Sequence, residues 1–173
     1  MEITIREGGP EDLPVILGML DSSVEWLVSQ GRTGQWGTTP LSENPKVVES
    51  VLRYMDEGSA FVAEADGVPA ATLTLDGAPG AYLSHLPPPG EPERYIHWLA
   101  SDRRFKGLGV GGVLLEHAAE VTRRAGVGLL RVDCYAGGDR KLVAYYESHG
   151  FTPTQTYTVG ENDWPGQVLA RRV

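Results

Sequence analysis

The sequence predicts an α/β fold in one domain, a mixed sheet with helices on both faces. Three observations carry this. Strand-like runs interleave with segments whose apolar residues recur at helical spacing. Asp66-Gly67 lies between two such strand-like runs, as a tight antiparallel hairpin requires. Between Tyr95 and Cys134 a strand, a glycine-rich turn, a helix and another strand follow one another, which predicts a right-handed crossover between parallel strands.

Taken in order, Ile3 to Arg6 alternate as a short strand. Gly-Gly-Pro-Glu-Asp then starts a helix, with Pro10 in its first turn and acids facing the dipole. Leu13, Ile16, Leu17 and Leu20 keep one face apolar. A loop from Gly31 to Asn44, rich in Gly, Thr and Pro, precedes a second helix carried by Val48, Val51, Leu52 and Met55. Ser59 to Glu64 and Pro69 to Leu75 are the hairpin strands, and Pro69 predicts an irregular start to the second. Ala78 to Glu93 has no period and reads as a long surface loop. Beyond it the pattern predicts a strand over Tyr95 to Ser101, a helix from Gly111 to Arg124 closed by Gly126, a strand over Leu129 to Cys134 and a helix over Asp139 to Ser148. Two last strands, Thr152 to Val159 and Gln167 to Val173, are joined by Gly-Glu-Asn-Asp-Trp-Pro-Gly. With no repeat and no second domain, residues 1–173 are read as one unit.

Composition narrows the function. The 173 residues carry 15 Lys and Arg against 23 Asp and Glu, a net charge of −8, which makes a nucleic-acid partner unfavourable. No apolar run is long enough to span a membrane, and the first residues do not read as a secretory signal. The single Cys134 excludes an internal disulfide, and the four His show no metal-ligand spacing. The expectation is a cytoplasmic protein with a metal-free mechanism.

Lys106-Gly107-Leu108-Gly109-Val110-Gly111-Gly112 falls between a strand and a helix, where backbone amides and the helix dipole favour phosphate oxygens. A flexible turn without a ligand is the plain alternative. A dinucleotide site is another, since Gly107, Gly109 and Gly112 fit GxGxxG and Asp133 ends the next strand. Against it, Asp-Arg-Arg-Phe-Lys separates the strand from the first glycine, and too little chain follows Cys134 to complete a doubly wound sheet.

Two motifs point elsewhere. One is Lys106, Gly109 and Gly111 followed by Leu114-Leu115, and the other is Tyr145-Tyr146-Glu147-Ser148-His149-Gly150-Phe151. With them, the stretch from Tyr95 through Phe151 resembles the GNAT superfamily of N-acetyltransferases, and the inferred strand order agrees over nearly the whole chain. Lys106 stands where the family has Arg or Gln. An alternative register on Arg104, Gly107 and Gly109 restores the Arg but displaces the Leu pair. Asp139 stands where one bacterial branch of the family has Asn.

The resemblance implies a mostly antiparallel twisted sheet with a central parallel pair that splays apart, and acetyl-CoA as cosubstrate. It implies that backbone groups near Leu99 and Ser101 meet the pantetheine arm. The amides from Lys106 through Gly107, Leu108, Gly109, Val110, Gly111 and Gly112 would hold the pyrophosphate, with Asp139 and Leu142 as further cofactor contacts. Tyr146 matches the family's proton donor to the departing thiolate. For the proton on the incoming ammonium, His97 is the best-placed titrating side chain, with water or Asp133 as alternatives and a structural histidine as the plain reading. Cys134 reads as a small buried residue. Among Trp26, Trp36, Tyr82, Trp98 and Trp164, Trp36 is favoured as an acceptor-site wall because Gly-Gln-Trp-Gly sits in a loop. The acid surplus favours a small cationic primary amine as acceptor. A homodimer is admitted, and a non-catalytic acyl-CoA-binding sensor is the competing class.

Overall fold

In the computed structural model, which describes Met1–Val173, the strands form a seven-stranded sheet in the order β1-β2-β3-β4-β5-β7-β6. The strands are β1 (Ile3–Glu7), β2 (Ser59–Ala65), β3 (Val68–Asp76), β4 (Arg94–Ser101), β5 (Leu129–Tyr135), β6 (Thr152–Val159) and β7 (Trp164–Arg172). The helices are α1 (Leu13–Ser29), α2 (Pro45–Glu57), α3 (Val110–Arg124) and α4 (Lys141–Ser148). The mixed sheet with a parallel β4–β5 pair, Arg94 opposite Leu130 and Tyr95 opposite Arg131, agrees with the α/β class read from the sequence. No helix is long and apolar enough to cross a membrane. By their internal contacts the residues group as Met1–Asp76 with His97–His117, and Gly77–Ile96 with Ala118–Val173.

In the first group, β1 and β3 flank β2 antiparallel, and the β2–β3 hairpin turns through Asp66 and Gly67 at φ +48° and +80°. Both turn residues are left-handed, as the tightest hairpins need. The irregularity expected at Pro69 is a register shift at Ala63/Glu64, opposite it. Ile16, Met19, Leu20 and Val24 of α1 pack with Val51 and Met55 of α2, Leu41, Ala60 and Ala100 into one core. The sequence placed a helix start at Pro10, whereas Pro10–Asp12 is a single 3-10 turn and α1 begins at Leu13. Pro14 explains the shift, because proline is tolerated in a helix only in its first turn. Asn44 caps α2 by accepting from the Lys46 amide at 3.0 Å, a contact worth about 1 kcal/mol.

In the second group, β7 lies between β5 and β6 and pairs antiparallel with both. It starts at Trp164, three residues before the predicted Gln167, and the turn shrinks to Gly160–Asp163. Trp164, Pro165 and Gly166 look like turn residues, yet they pair with Val159, Thr158 and Tyr157. Gly166 is required there: a Cβ would fall 2.0 Å from Cζ of Tyr157. Helix α4 begins at Lys141 and not at Asp139, because Arg140 is left-handed at φ +59°.

Candidate active site

The glycine turn is built from its first residue. Asp102 accepts from the Arg104 amide at 2.9 Å and from the Arg104 guanidinium at 2.8 Å, which holds its carboxyl below the ordinary aspartate range. A 3-10 turn over Arg103–Phe105 follows, then Gly107 and Gly109 at φ +81° and +77°. Only glycine adopts such angles without strain, so both positions fix the path of the turn. Val110, Leu114 and Leu115 are buried and anchor the start of α3, while Lys106 through Gly109 stay exposed. Val113 N donates to the Gly109 carbonyl at 3.1 Å as the first bond of α3, so the amides of Val110, Gly111 and Gly112 precede the helical ladder at the positive end of the dipole, an arrangement that suits phosphate oxygens. Gly111 and Gly112 lie inside α3, where no positive φ is needed.

Trp26 of α1 organises the basic run beside this turn. The Arg103 guanidinium lies 3.8 Å from the ring centroid and the Lys106 ammonium 5.1 Å. Nε and Nη2 of Arg103 are buried without a hydrogen-bond partner, and burial lowers its pKa. Of the run Arg103-Arg104-Phe105-Lys106, then, Arg103 rests on Trp26 and Arg104 is tied to Asp102.

Along β4, Leu99 and Ser101 are half-buried, and the Ser101 carbonyl is 3.5 Å from Ser23 Oγ. His97 is 6% exposed, stacks on Tyr54 with centroids 3.9 Å apart, and points Nε2 at Asp76 Oδ1 at 2.8 Å. Trp98 is left-handed at φ +50°, and its indole N–H donates to Ser50 Oγ at 3.0 Å. No glycine or asparagine marks that left-handed position. Trp36 is half-buried and packs with Trp98 against the α1–α2 core.

Tyr146 lies on α4, buried, edge-on to Tyr145 and to Phe151 at centroid distances of 5.4 and 5.8 Å. Burial raises its pKa well above the ordinary tyrosine value, so the phenol keeps its proton. The Tyr-x-x-x-Gly-Phe spacing has a structural content. The Tyr146 carbonyl accepts from Phe151 N, and Glu147 from Gly150 N, while Gly150 sits at φ +87°. This is the Schellman ending of a helix, with the Tyr146–Phe151 contact as its apolar clasp. Asp139 accepts from the Lys141 amide at 3.1 Å, an Asx turn leading into α4, while Leu142 is half-buried on that helix. The Cys134 thiol is buried and pushed up to about 12.

Sequence reasoning gave Asp133 only a minor place. Its carboxylate accepts from Tyr82 at 3.0 and 2.8 Å, from Tyr95 at 2.7 Å, and from Tyr157. The three tyrosines come from a loop and two strands, so no local spacing signals the cluster. Only strand periodicity hints at it, by placing Arg131 and Asp133 on one face of β5.

The model of the acetyltransferase (GNAT) family matches residues 23–151. The uncharacterized N-acetyltransferase YesJ of Bacillus subtilis (strain 168) is 30% identical over 149 residues, covering 82% of this chain and 77% of the relative. Among solved structures, Ard1 from Thermoplasma volcanium superposes with a TM-score of 0.70 at 18% identity, over 100% of this chain and 99% of that one. The structure of yncA from Salmonella typhimurium with its cofactor acetyl-CoA gives 0.64 at 15% identity, over 98% and 93%. A family match over most of the chain, a curated relative of the same kind and shared architecture agree: the chain belongs to the acetyltransferase (GNAT) family, whose acyl donor is acetyl-CoA.

Proposed function

We propose that this N-acetyltransferase acylates a primary amine on a small cationic molecule by direct attack, with Tyr146 as general acid. The supporting observation is the exposed turn with left-handed Gly107 and Gly109 running into the first-turn amides of α3. Those donors fit a diphosphate-bearing cosubstrate, and Lys106 adds a cation. In this reading the pyrophosphate lies along Lys106 to Gly112 and is held by the amides of Gly107 and of Gly109 to Gly112, because the Lys106 and Leu108 amides already donate to the Arg103 and Phe105 carbonyls. Leu99 and Ser101 offer backbone groups to the pantetheine, and Asp139 and Leu142 add contacts from α4. Tyr146, kept neutral by burial, gives its proton to the thiolate as the C–S bond breaks and the C–N bond forms. The ammonium loses its proton to His97, whose ring is positioned by the 2.8 Å contact of Nε2 with Asp76 Oδ1. Trp36 supplies an aromatic wall for the cation.

Family membership and the N-acetyltransferase relative favour an enzyme over a sensor module. Acetyl-CoA-dependent thiol release across matched cationic, neutral and anionic amines, at low and high salt, tests the proposal. The expected result is release with cationic acceptors, weakened by salt because the steering is electrostatic. Release that is indifferent to acceptor charge removes the cationic assignment, and acetyl-CoA binding without release from any amine supports the sensor.

A further inference from the structure

The structure assigns Asp133, ringed by Tyr82, Tyr95 and Tyr157, as the anchor for a cationic nitrogen of the acceptor, with Tyr82 as its displaceable cover. This deepens the proposed acetyltransferase function and rests on it for the identity of the ligand as the acceptor.

No cation donates a hydrogen bond to the Asp133 carboxylate: every hydrogen bond that it accepts comes from a phenol. The cation on the same face of β5, Arg131, is committed elsewhere: it makes two bonds to Glu93, at 2.8 and 2.7 Å, and both partners are buried. Arg140 is engaged with Gln167 at 3.0 Å. Arg131 senses the Asp133 carboxylate through space, but no cation donates a hydrogen bond to it, and a half-buried carboxylate in that position attracts one that can.

The surroundings favour an ammonium over other cations' partners. Each phenol spends its one proton on Asp133, so it meets any further ligand as an acceptor. Tyr157 and Trp164 lie 6.4 Å apart by centroids and Tyr82 and Tyr157 6.1 Å, giving aromatic surface on which a cation gains additional attraction.

The tyrosines differ in a telling way. Tyr95 is 0% exposed and Tyr157 6%, and each gives a single bond to one oxygen. Tyr82 is 45% exposed, sits on the short 3-10 turn Ala81–Leu83, and spreads one proton over both oxygens. Tyr82 therefore occupies the bridging position that an ammonium, with several donors, fills better. The floor is fixed and the cover is exposed.

Calorimetric titration with 1,5-diaminopentane tests the site, with 1-pentanol and pentanoate as controls and the acetyl-CoA thermal shift as a check on each protein. The wild-type protein is expected to bind the diamine and neither control. Asp133→Asn and Tyr82→Lys should each weaken the diamine at least tenfold while keeping the acetyl-CoA shift. Tyr82→Lys places a tethered ammonium at an exposed position, so it remains informative where Asp133→Asn fails to fold. Tyr82→Phe, which removes the competing hydroxyl and keeps the ring, should bind the diamine at least as tightly as wild type. No diamine binding to the wild type, equal binding of pentanol, or diamine affinity within twofold in the folded variants overturns the assignment. Thiol release separates the two readings. Diamine binding lost in the variants but no release in the wild type leaves the cation site and removes the acetyltransferase role for the diamine. Release that both variants leave unchanged keeps the enzyme and removes the site.

Discussion

At the scale of single residues, Tyr146 carries two duties that one substitution separates. Its ring clasps Phe151 to close α4, and its hydroxyl is the proposed acid. Tyr146→Phe keeps the clasp, so turnover should fall by about 10²–10⁴-fold, as loss of a general acid does, with the acetyl-CoA thermal shift unchanged. Stopped-flow thiol release decides it, and a variant within twofold of wild type assigns Tyr146 to packing. Trp98 shows why some residues escape sequence reading. A left-handed backbone is expected at glycine or asparagine, and here a bulky indole adopts it, held by Ser50 and by packing on the core. Sequence reasoning reads Asp133 as a strand-end acid and an alternative base, but its cluster escaped for another reason: its partners lie 51, 38 and 24 residues away in sequence, so nothing near it marks them.

At the scale of elements, the signals that proved legible are those with a local cause. Asp66-Gly67 specified a hairpin because both positions demand left-handed angles, and Gly150 marked the end of α4 for the same reason. Gly109→Val should therefore abolish the acetyl-CoA thermal shift, since a β-branched residue at φ +77° distorts the turn that precedes α3. Circular dichroism should show the helices retained, and a normal acetyl-CoA shift would remove the turn from the cofactor site. The start of β7 was illegible because Trp164-Pro165-Gly166 has turn composition, and pairing on both flanks overrides it. Gly166→Ala tests that cause. Its new methyl meets the Tyr157 ring at 2.0 Å, and overpacking of this kind costs about 1–3 kcal/mol, read as a lowered urea midpoint. An unchanged midpoint would show that the ring moves aside freely.

For the whole molecule, pH and order of synthesis both have consequences. Asp12, which accepts from Arg6 at 2.8 Å and from the Gly9 amide at 3.0 Å, is held below the ordinary aspartate value of 3.8, and Asp102 likewise by Arg104. A carboxyl whose folded pKa is depressed contributes stability above its unfolded value, and that contribution is lost as pH falls through the folded value. Urea midpoints should accordingly hold steady near neutrality and drop below about pH 4, with Asp12→Asn flattening part of the drop. A midpoint that starts falling already near pH 6 would point to histidine instead. The fold class was readable from periodicity, whereas the insertion of β7 between β5 and β6 was not, because strand order is set by long-range pairing that no local window contains. That insertion also means a ribosome releases β7 after both of its neighbours, so β5 and β6 wait with open ladders. Alternating exposed and covered residues along β6, from Thr152 to Thr156, make the wait tolerable by keeping the unpaired strand polar on one side. Chains truncated before Trp164 and released from the ribosome should be cut by protease between Leu129 and Val159, and chains that run through Val173 should resist.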